Sequence, residues 1–180
     1  LKHIIGLLKP DEGTILFKGK SLGEMKKSES AANFAQISYM FQDNALFDSM
    51  TVYENIALPL RETTNLSKAK IDSRVMARIE QTELENAVHK YPSELSGGMQ
   101  KRAALARALV TDPRIVLFDE PTSGQDPVRK NAILGMIAQY QRKFGFTAIL
   151  VSHEIPDVYF ISNRILALYE RSIVFQGSPE

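Results

Sequence analysis

The sequence predicts an α/β fold in which a mostly parallel sheet is joined to a separate group of helices. Residues 115–118 are uniformly apolar, as expected of a central parallel strand that is covered on both faces. A helical pattern starts after them at Asp126, and a further apolar run at 148–151 follows that helix. Strands that alternate with helices favour a parallel sheet with crossover connections. Between Thr51 and about Tyr91 the pattern is helical, with no strand signal.

The amino-terminal part combines turns with short strands. Residues 1–8 have the apolar pattern of the end of an amphipathic helix, and residues 10–13 form a turn signal. Two strands are predicted, at 14–17 and 37–41. The polar residues 21–35 between them are predicted to be partly helical.

The middle of the chain contains two amphipathic segments. Their apolar residues recur at helical spacing and form two sets, Val52 with Ile56 and Ala57, and Ile71 with Val75 and Ile79. We therefore expect residues 51–92 to form a helical subdomain. Residues 1–50 and 93–180 are expected to form the α/β core of the same single domain.

The carboxy-terminal part alternates helices and strands. A helix should begin at Asp126-Pro127, since proline suits the first position of a helix. Its predicted buried face consists of Ile133, Ile137, Tyr140 and Phe144. Residues 148–151 are expected to form a buried strand, 155–161 a short helix, and 165–168 with 172–175 a hairpin.

Composition excludes several classes of protein. The 180 residues suffice for one domain with an added subdomain. Lys plus Arg total 22 and Asp plus Glu total 21, so a net charge of +1 gives no indication of a nucleic-acid partner. The absence of cysteine excludes disulfides and thiolate chemistry. No apolar run approaches the roughly 20 residues of a membrane-spanning helix.

Residues 95–109 carry the strongest functional pattern. Ser96 is suited to capping a helix, and Gly97 and Gly98 let an anion approach the backbone without a Cβ in the way. A helix-forming run rich in Ala, Leu, Lys and Arg follows them. The positive end of such a helix attracts anions such as phosphate. Ser-Gly-Gly alone would equally suit a capped surface helix.

Polar side chains also follow the predicted strands. Asp119 and Glu120 stand at the carboxyl end of the 115–118 strand, where ligands of open α/β sheets bind. A carboxylate there suits Mg²⁺, and Glu120 could polarise an attacking water. Gln42 follows another strand and could ligate Mg²⁺ or orient water. His153 follows a third strand and could donate to a phosphate oxygen, although a structural role is as compatible with its position.

Taken together, these segments resemble the ATP-binding-cassette (ABC) ATPases. The resemblance covers essentially the whole chain, and the order of the motifs is the family's. The matching positions are Gln42 for the Q-loop, 95–109 for the signature, 115–120 for Walker B, 123–126 for the D-loop and His153 for the switch histidine.

The resemblance implies a P-loop NTPase-like ABC ATPase core and the cofactors ATP and Mg²⁺. It makes Glu120 the general base, with Asp119 and Gln42 serving Mg²⁺. It also implies that His153 contacts the γ-phosphate. These roles come from the family and not from the spacing of the residues.

The same resemblance gives the signature segment a role between subunits. Ser96, Gly97 and Gly98 would close on ATP held by a second, identical ATPase subunit. Gln100 would bind the nucleotide together with them. Asp126 would communicate across that dimer interface.

One departure from the family is large. The phosphate-binding pattern Gly-x-x-Gly-x-Gly-Lys-Ser/Thr is absent, and so is the aromatic residue that stacks on adenine. In the family, a segment like residues 1–13 follows that loop almost directly. We therefore expect residues 1–180 to be an N-terminally truncated ABC domain that is inactive by itself.

Gln125 indicates a particular subgroup within the ABC ATPases. It stands where most transporter members carry Leu, and Gly-Gln-Asp-Pro with Leu-Ser-Gly-Gly-Met is similar to the ATPases of the Mla and Mce type. That similarity implies phospholipid transport between bacterial membranes. It also implies transmembrane permease subunits as partners, no nucleic acid, and a peripheral location on the cytoplasmic face of the inner membrane.

Two other functions remain open at this point. One is a soluble ABC ATPase that acts on nucleic acid or ribosomes. The short span between Gln42 and Ser96 leaves no room for a long coiled coil, and no basic patch supports it. The other is a non-catalytic fragment, which the missing loop favours and the presence of Glu120 and His153 disfavours.

Overall fold

The computed structural model describes residues 1–25, 33–42, 44–154, 159 and 161–179. Two short 3₁₀ turns, Glu85–Ala87 and Pro92–Glu94, precede the third helix. In chain order the elements are β1 (Leu16–Phe17), β2 (Lys20–Ser21), β3 (Ile37–Met40), α1 (Val52–Thr63), α2 (Lys68–Gln81), α3 (Gly97–Leu109), β4 (Ile115–Asp119), α4 (Pro127–Phe144), β5 (Thr147–Val151), β6 (Ile165–Tyr169) and β7 (Ser172–Gly177).

The central sheet consists of three parallel strands in the order β3-β4-β5. The middle strand, β4, is fully buried at Val116, Leu117 and Phe118. On one face, Val116 and Phe118 belong to an apolar cluster with side chains from α3 and α4. The prediction of a central, buried parallel strand at 115–118 is therefore confirmed.

The neighbouring strand β5 departs from the prediction of a buried strand. Ile149 and Leu150 are half-buried, whereas Thr147, Ala148 and Val151 are exposed. The reason is its place in the sheet, because β5 pairs only with β4 among the described strands and so forms an edge. Apolarity alone does not distinguish an edge strand from a central one.

The helices α1 and α2 have the apolar faces predicted for them. All six residues of the two predicted sets are buried, and they share one cluster with residues of α3. The start of α1 is set by a capping box, in which Thr51 and Glu54 satisfy each other's backbone N–H groups. Burying these apolar faces stabilises the helices more than helix propensity does.

Helix α3 lies between two apolar clusters. Ala103 and Ala106 pack in the cluster of α1 and α2, whereas Leu105 and Leu109 pack against the central sheet. Small residues on one face and larger ones on the other let a single helix serve both sides. The segment singled out by sequence is therefore the element that the two clusters share.

The first residues form hydrogen-bonded turns where the end of a helix was expected. Gly6 has φ +72°, and its N–H donates to the His3 carbonyl while the Leu7 N–H donates to the Lys2 carbonyl. This pair of bonds is the Schellman motif that terminates helices. The helical character thus ends before Gly6 and does not extend to Leu8.

Helix α4 and the strands β6 and β7 agree with the patterns that predicted them. In α4, Ile133, Ile137 and Tyr140 are buried, and Phe144 packs at the edge of the same cluster. β6 and β7 form the expected antiparallel hairpin. Residues 155–158 and 160 of the short helix predicted at 155–161 lie outside the described residues, and so do residues 26–32 of the partly helical segment predicted at 21–35. Among the described helices, none is both long and apolar enough to cross a bilayer.

Candidate functional site

Three parallel strands end at one edge of the sheet, and the candidate residues follow those ends. Met40 pairs with Phe118, and Asp119 pairs with Val151. Because parallel strands point the same way, the residues that follow them emerge at the same edge. The structure therefore brings four predicted site residues to a common edge, namely Gln42, Asp119, Glu120 and His153.

Glu120 and His153 are in direct contact. The Nδ1 atom of His153 lies 2.9 Å from Oε1 of Glu120. This hydrogen bond and the negative charge of Glu120 raise the pKa of His153 above its ordinary value. The carboxylate side chain is about a quarter exposed, and the backbone N–H of Glu120 donates to the Val151 carbonyl at 3.0 Å. This backbone bond holds Glu120 against the end of β5, two residues before His153.

The second oxygen of Glu120 is buried without a hydrogen-bond partner among the described residues. A buried carboxylate oxygen in that state costs free energy, so a group that donates to it is favoured. Glu120 also has φ +47°, a backbone conformation that non-glycine residues rarely adopt. Strain and an unpaired acceptor together fit a carboxylate that receives a proton from a bound water.

Among the described residues, the side chain of Asp119 has a hydrogen bond at one of its two oxygens. The Tyr39 hydroxyl donates to its Oδ2, while no described residue donates to Oδ1. Burial, with added effects of the Asp119 hydrogen bond and charge, raises the pKa of Tyr39 to about 12, so the tyrosine stays a donor. Oδ2 of Asp119 is therefore held in place, while Oδ1 can accept a bond from a further ligand.

The oxygen donors at this edge fit Mg²⁺ in kind. They are the Asp119 carboxylate and the exposed side chain of Gln42. The described residues contain no group of three or more acidic, histidine or cysteine side chains that could hold a metal. Mg²⁺ keeps several of its waters and uses one or two carboxylates together with the phosphates of a nucleotide. When bound with ATP, Mg²⁺ neutralises charge on the phosphates.

The signature segment forms the start of α3 as predicted. Ser96 is the N-cap, and its Oγ accepts from the Met99 N–H at 3.3 Å. A Cβ added at Gly97 or Gly98 would meet nothing within 4 Å, so the backbone there is open to an anion. Within the described part of the chain, no hydrogen bond joins residues 96–98 to Glu120 or His153.

Gln100 and Asp126 are both hydrogen-bonded within the chain. Gln100 Nε2 donates to the Pro92 carbonyl at 2.9 Å, which fastens the turn before the signature. Asp126 is the N-cap of α4 and accepts from the Arg129 N–H at 3.0 Å. Its carboxylate also pairs with the Arg129 side chain. Contacts of either residue with nucleotide remain predictions.

Two further residues at the site were missed. Tyr39 is opposite Leu117 in the sheet, and Leu117 and Asp119 share a face because they are two residues apart. Lys101 is buried and donates to the carbonyls of Gln42 and Pro121. The signal for Tyr39 was its strand position, whereas nothing local distinguishes Lys101 from a surface lysine.

The comparison with known families decides the identity of this arrangement. A family model described as ABC transporter matches residues 1–123. The chain belongs to the ABC transporter family. It is thus an ABC ATPase domain, a class of domain that binds nucleotide. ATPases of this family dimerise and work with membrane permeases.

Curated relatives align with this ABC domain over its full length. It is 40% identical over 180 residues to the intermembrane phospholipid transport system ATP-binding protein MlaF of Escherichia coli (strain K12), of which it covers 67%. It is 39% identical over 180 residues to the probable ribonucleotide transport ATP-binding protein mkl of Mycobacterium leprae (strain TN), of which it covers 52%.

Solved structures confirm the predicted α/β fold of the ABC domain. CbiO1 from Clostridium perfringens, part of the ABC transporter complex cbiONQ, superposes with a TM-score of 0.87 at 29% identity, over 99% of this chain and 70% of that one. The ATP-binding cassette MJ0796, in a dimeric post-hydrolysis state with ADP and Pi, gives 0.80 at 28% identity, over 99% and 78%.

Proposed function

We propose that this chain supplies the catalytic edge and the signature helix of an ATPase that powers phospholipid transport between bacterial membranes. The observation that carries this proposal is the 40% identity to an intermembrane phospholipid transport ATPase across all 180 residues. Mkl, named for ribonucleotide transport, is 39% identical over the same span, so ribonucleotide is the second candidate for the transported substance. We also propose that nucleic acid is not among the partners.

Hydrolysis is assigned to the edge of the sheet. Glu120 is the general base, which its unpaired, buried Oε2 supports. His153 bonds Glu120, and because its ring is largely exposed it would be able to turn to the γ-phosphate of a bound nucleotide. Asp119 and Gln42 would hold Mg²⁺ through oxygen atoms, directly or by way of waters.

The signature residues act on a second subunit. Ser96, Gly97 and Gly98 form an open helix start that has no hydrogen bond to Glu120 or His153 of their own chain. An anion site that is separate from the catalytic carboxylate suits a nucleotide held by a partner. We therefore propose a homodimer in which each signature helix closes on the other subunit's ATP, with Gln100 and Asp126 beside the interface.

A groove beside the site suits a membrane subunit. It has a volume of about 330 Å³, and its walls include Phe41, Phe47 and Leu58. Phe47 is about half exposed, so an apolar surface is available to a partner's short helix. Met50, which is near Phe47 in the sequence, does not line the groove. Residues 51–92 would then be the docking subdomain, and the ATPase would sit peripherally on the cytoplasmic face of the inner membrane.

Purification from membranes tests the proposal. The complete product of the gene would be isolated with its partners, and its ATPase rate measured with added phospholipid vesicles or with ribonucleotides. Co-purification with a transmembrane protein and stimulation by phospholipid support the proposal. Stimulation by ribonucleotide alone would establish the second candidate, and recovery with ribosomes instead of membranes would refute both.

A further inference from the structure

Lys101 is a buried cation within the signature helix. It lies near the start of α3, and only 9% of its surface is exposed. Burying an ammonium group is costly unless its hydrogen atoms are bonded. Lysine is rarely buried to this extent in proteins.

Its ammonium group contacts two segments that follow neighbouring strands. Nζ donates to the Gln42 carbonyl at 3.3 Å and to the Pro121 carbonyl at 3.2 Å. Gln42 comes two residues after β3, and Pro121 comes two residues after β4. One side chain from α3 therefore joins the loop of Gln42 to the residue directly after Glu120.

The bond to Pro121 bears on the orientation of Glu120. Glu120 has a positive φ angle, and the peptide that follows it is buried with Pro121. Such a conformation persists only when its surroundings hold it. A charge-assisted bond on the next carbonyl is a suitable restraint, since it is stronger than a bond between neutral groups.

We propose that Lys101 is a positioning residue that fixes the Gln42 loop and the backbone after Glu120 relative to the signature helix. The proposal rests on the roles given above to Gln42 and Glu120. If Lys101 only stabilised the fold, replacing it would destabilise every part of the domain to a similar extent. A positioning residue affects the two segments it bonds and the chemical step that depends on them.

Hydrogen exchange on this chain tests the positioning directly. In Lys101→Met, exchange should rise in peptides covering 38–42 and 119–125, while the centre of β4 keeps its protection. Lys101→Arg, which retains the charge and the donors, should restore both segments. Lys143→Met is the matched control, because Lys143 also donates to a carbonyl, that of Gln81, but on the surface. A uniform rise across the chain, or no rise, would overturn the proposal.

Kinetics of the complete gene product provide the second test. Lys101→Met should lower kcat by up to about 100-fold with KM for ATP unchanged, as small displacements of reacting groups do. Lys101→Arg should recover most of that loss, and Lys143→Met should behave as wild type. A wild-type kcat in Lys101→Met would overturn the proposal. If the unaltered protein had no ATPase activity, the proposed function would fail, and the exchange experiment would still decide the role of Lys101.

Discussion

The contact between Glu120 and His153 predicts that a substitution at Glu120 changes the pKa of His153. This effect can be measured on the 180-residue chain without nucleotide. Glu120→Gln keeps the size of the side chain and removes its charge. The two largest effects that raise the pKa of His153 are the hydrogen bond to Glu120 and the charge of Glu120. The substitution removes the charge and weakens the hydrogen bond, while the opposing desolvation of the ring remains. The pKa of His153 should therefore fall.

The sign of the pH dependence follows from the direction of the shift. A raised pKa means that the folded chain favours the imidazolium form. The stability that the Glu120–His153 pair contributes to the folded chain is fully present below the pKa of histidine in the unfolded chain. It is lost as pH rises through the higher pKa of the folded chain. Titration of the His153 ring signals by NMR measures that value. Glu154→Gln is the control, since Glu154 raises the same pKa by a smaller amount.

The same substitution should nearly stop turnover in the complete protein. Loss of a general base costs roughly 10²–10⁴-fold in rate, which corresponds to about 3–5 kcal/mol in the barrier. ATP binding should survive, because the change leaves Asp119 and the signature residues in place. An unchanged His153 titration would refute the contact, and hydrolysis within a few-fold of wild type would refute the role of Glu120.

Three further predictions concern the chain and its groove. The 180 residues alone should release no phosphate from ATP and bind it weakly in calorimetry, because they lack the glycine-rich phosphate loop and its lysine; tight Mg²⁺-dependent binding would contradict this. Phe47→Glu should abolish co-purification with the membrane subunit, whereas Met76→Glu, an exposed apolar position outside the groove, should not. Asn55→Ala should lower the free energy of unfolding by about 1–3 kcal/mol in urea titration, since buried Asn55 bonds the backbone of Phe47. Replacing the exposed Asn65 by Ala should have almost no effect on the free energy of unfolding. An equal loss of stability in both variants would contradict the stabilising role of the Asn55 bonds.

Local patterns were sufficient for the helices and for the central strand. The buried faces of α1, α2 and α4 follow from helical spacing, because each helix packs only one side. The three polar strand ends could also be placed together, since parallel strands end at one edge. Neither inference required knowledge of distant contacts.

Features that depend on distant contacts were out of reach. The exposure of β5 depends on which strands flank it, and the bond from Tyr39 to Asp119 depends on the register between β3 and β4. Lys101 is the sharpest case, because a lysine in a helix is expected on the surface. Its burial follows from the position of α3 between two apolar clusters, which no local pattern encodes.

The position of α3 connects the site with the groove. Lys101 bonds the Gln42 carbonyl, and two turns later Arg107 donates to the carbonyls of Asn44 and Ala45 at 2.9 and 2.7 Å. Arg107 also lines the groove where we place the membrane subunit. Helix α3 therefore bonds the chain at Gln42, beside the catalytic edge, and again at Asn44 and Ala45, beside the docking surface. A partner that moved the groove wall would act on the backbone of Gln42 through bonds that start from the same helix as the signature.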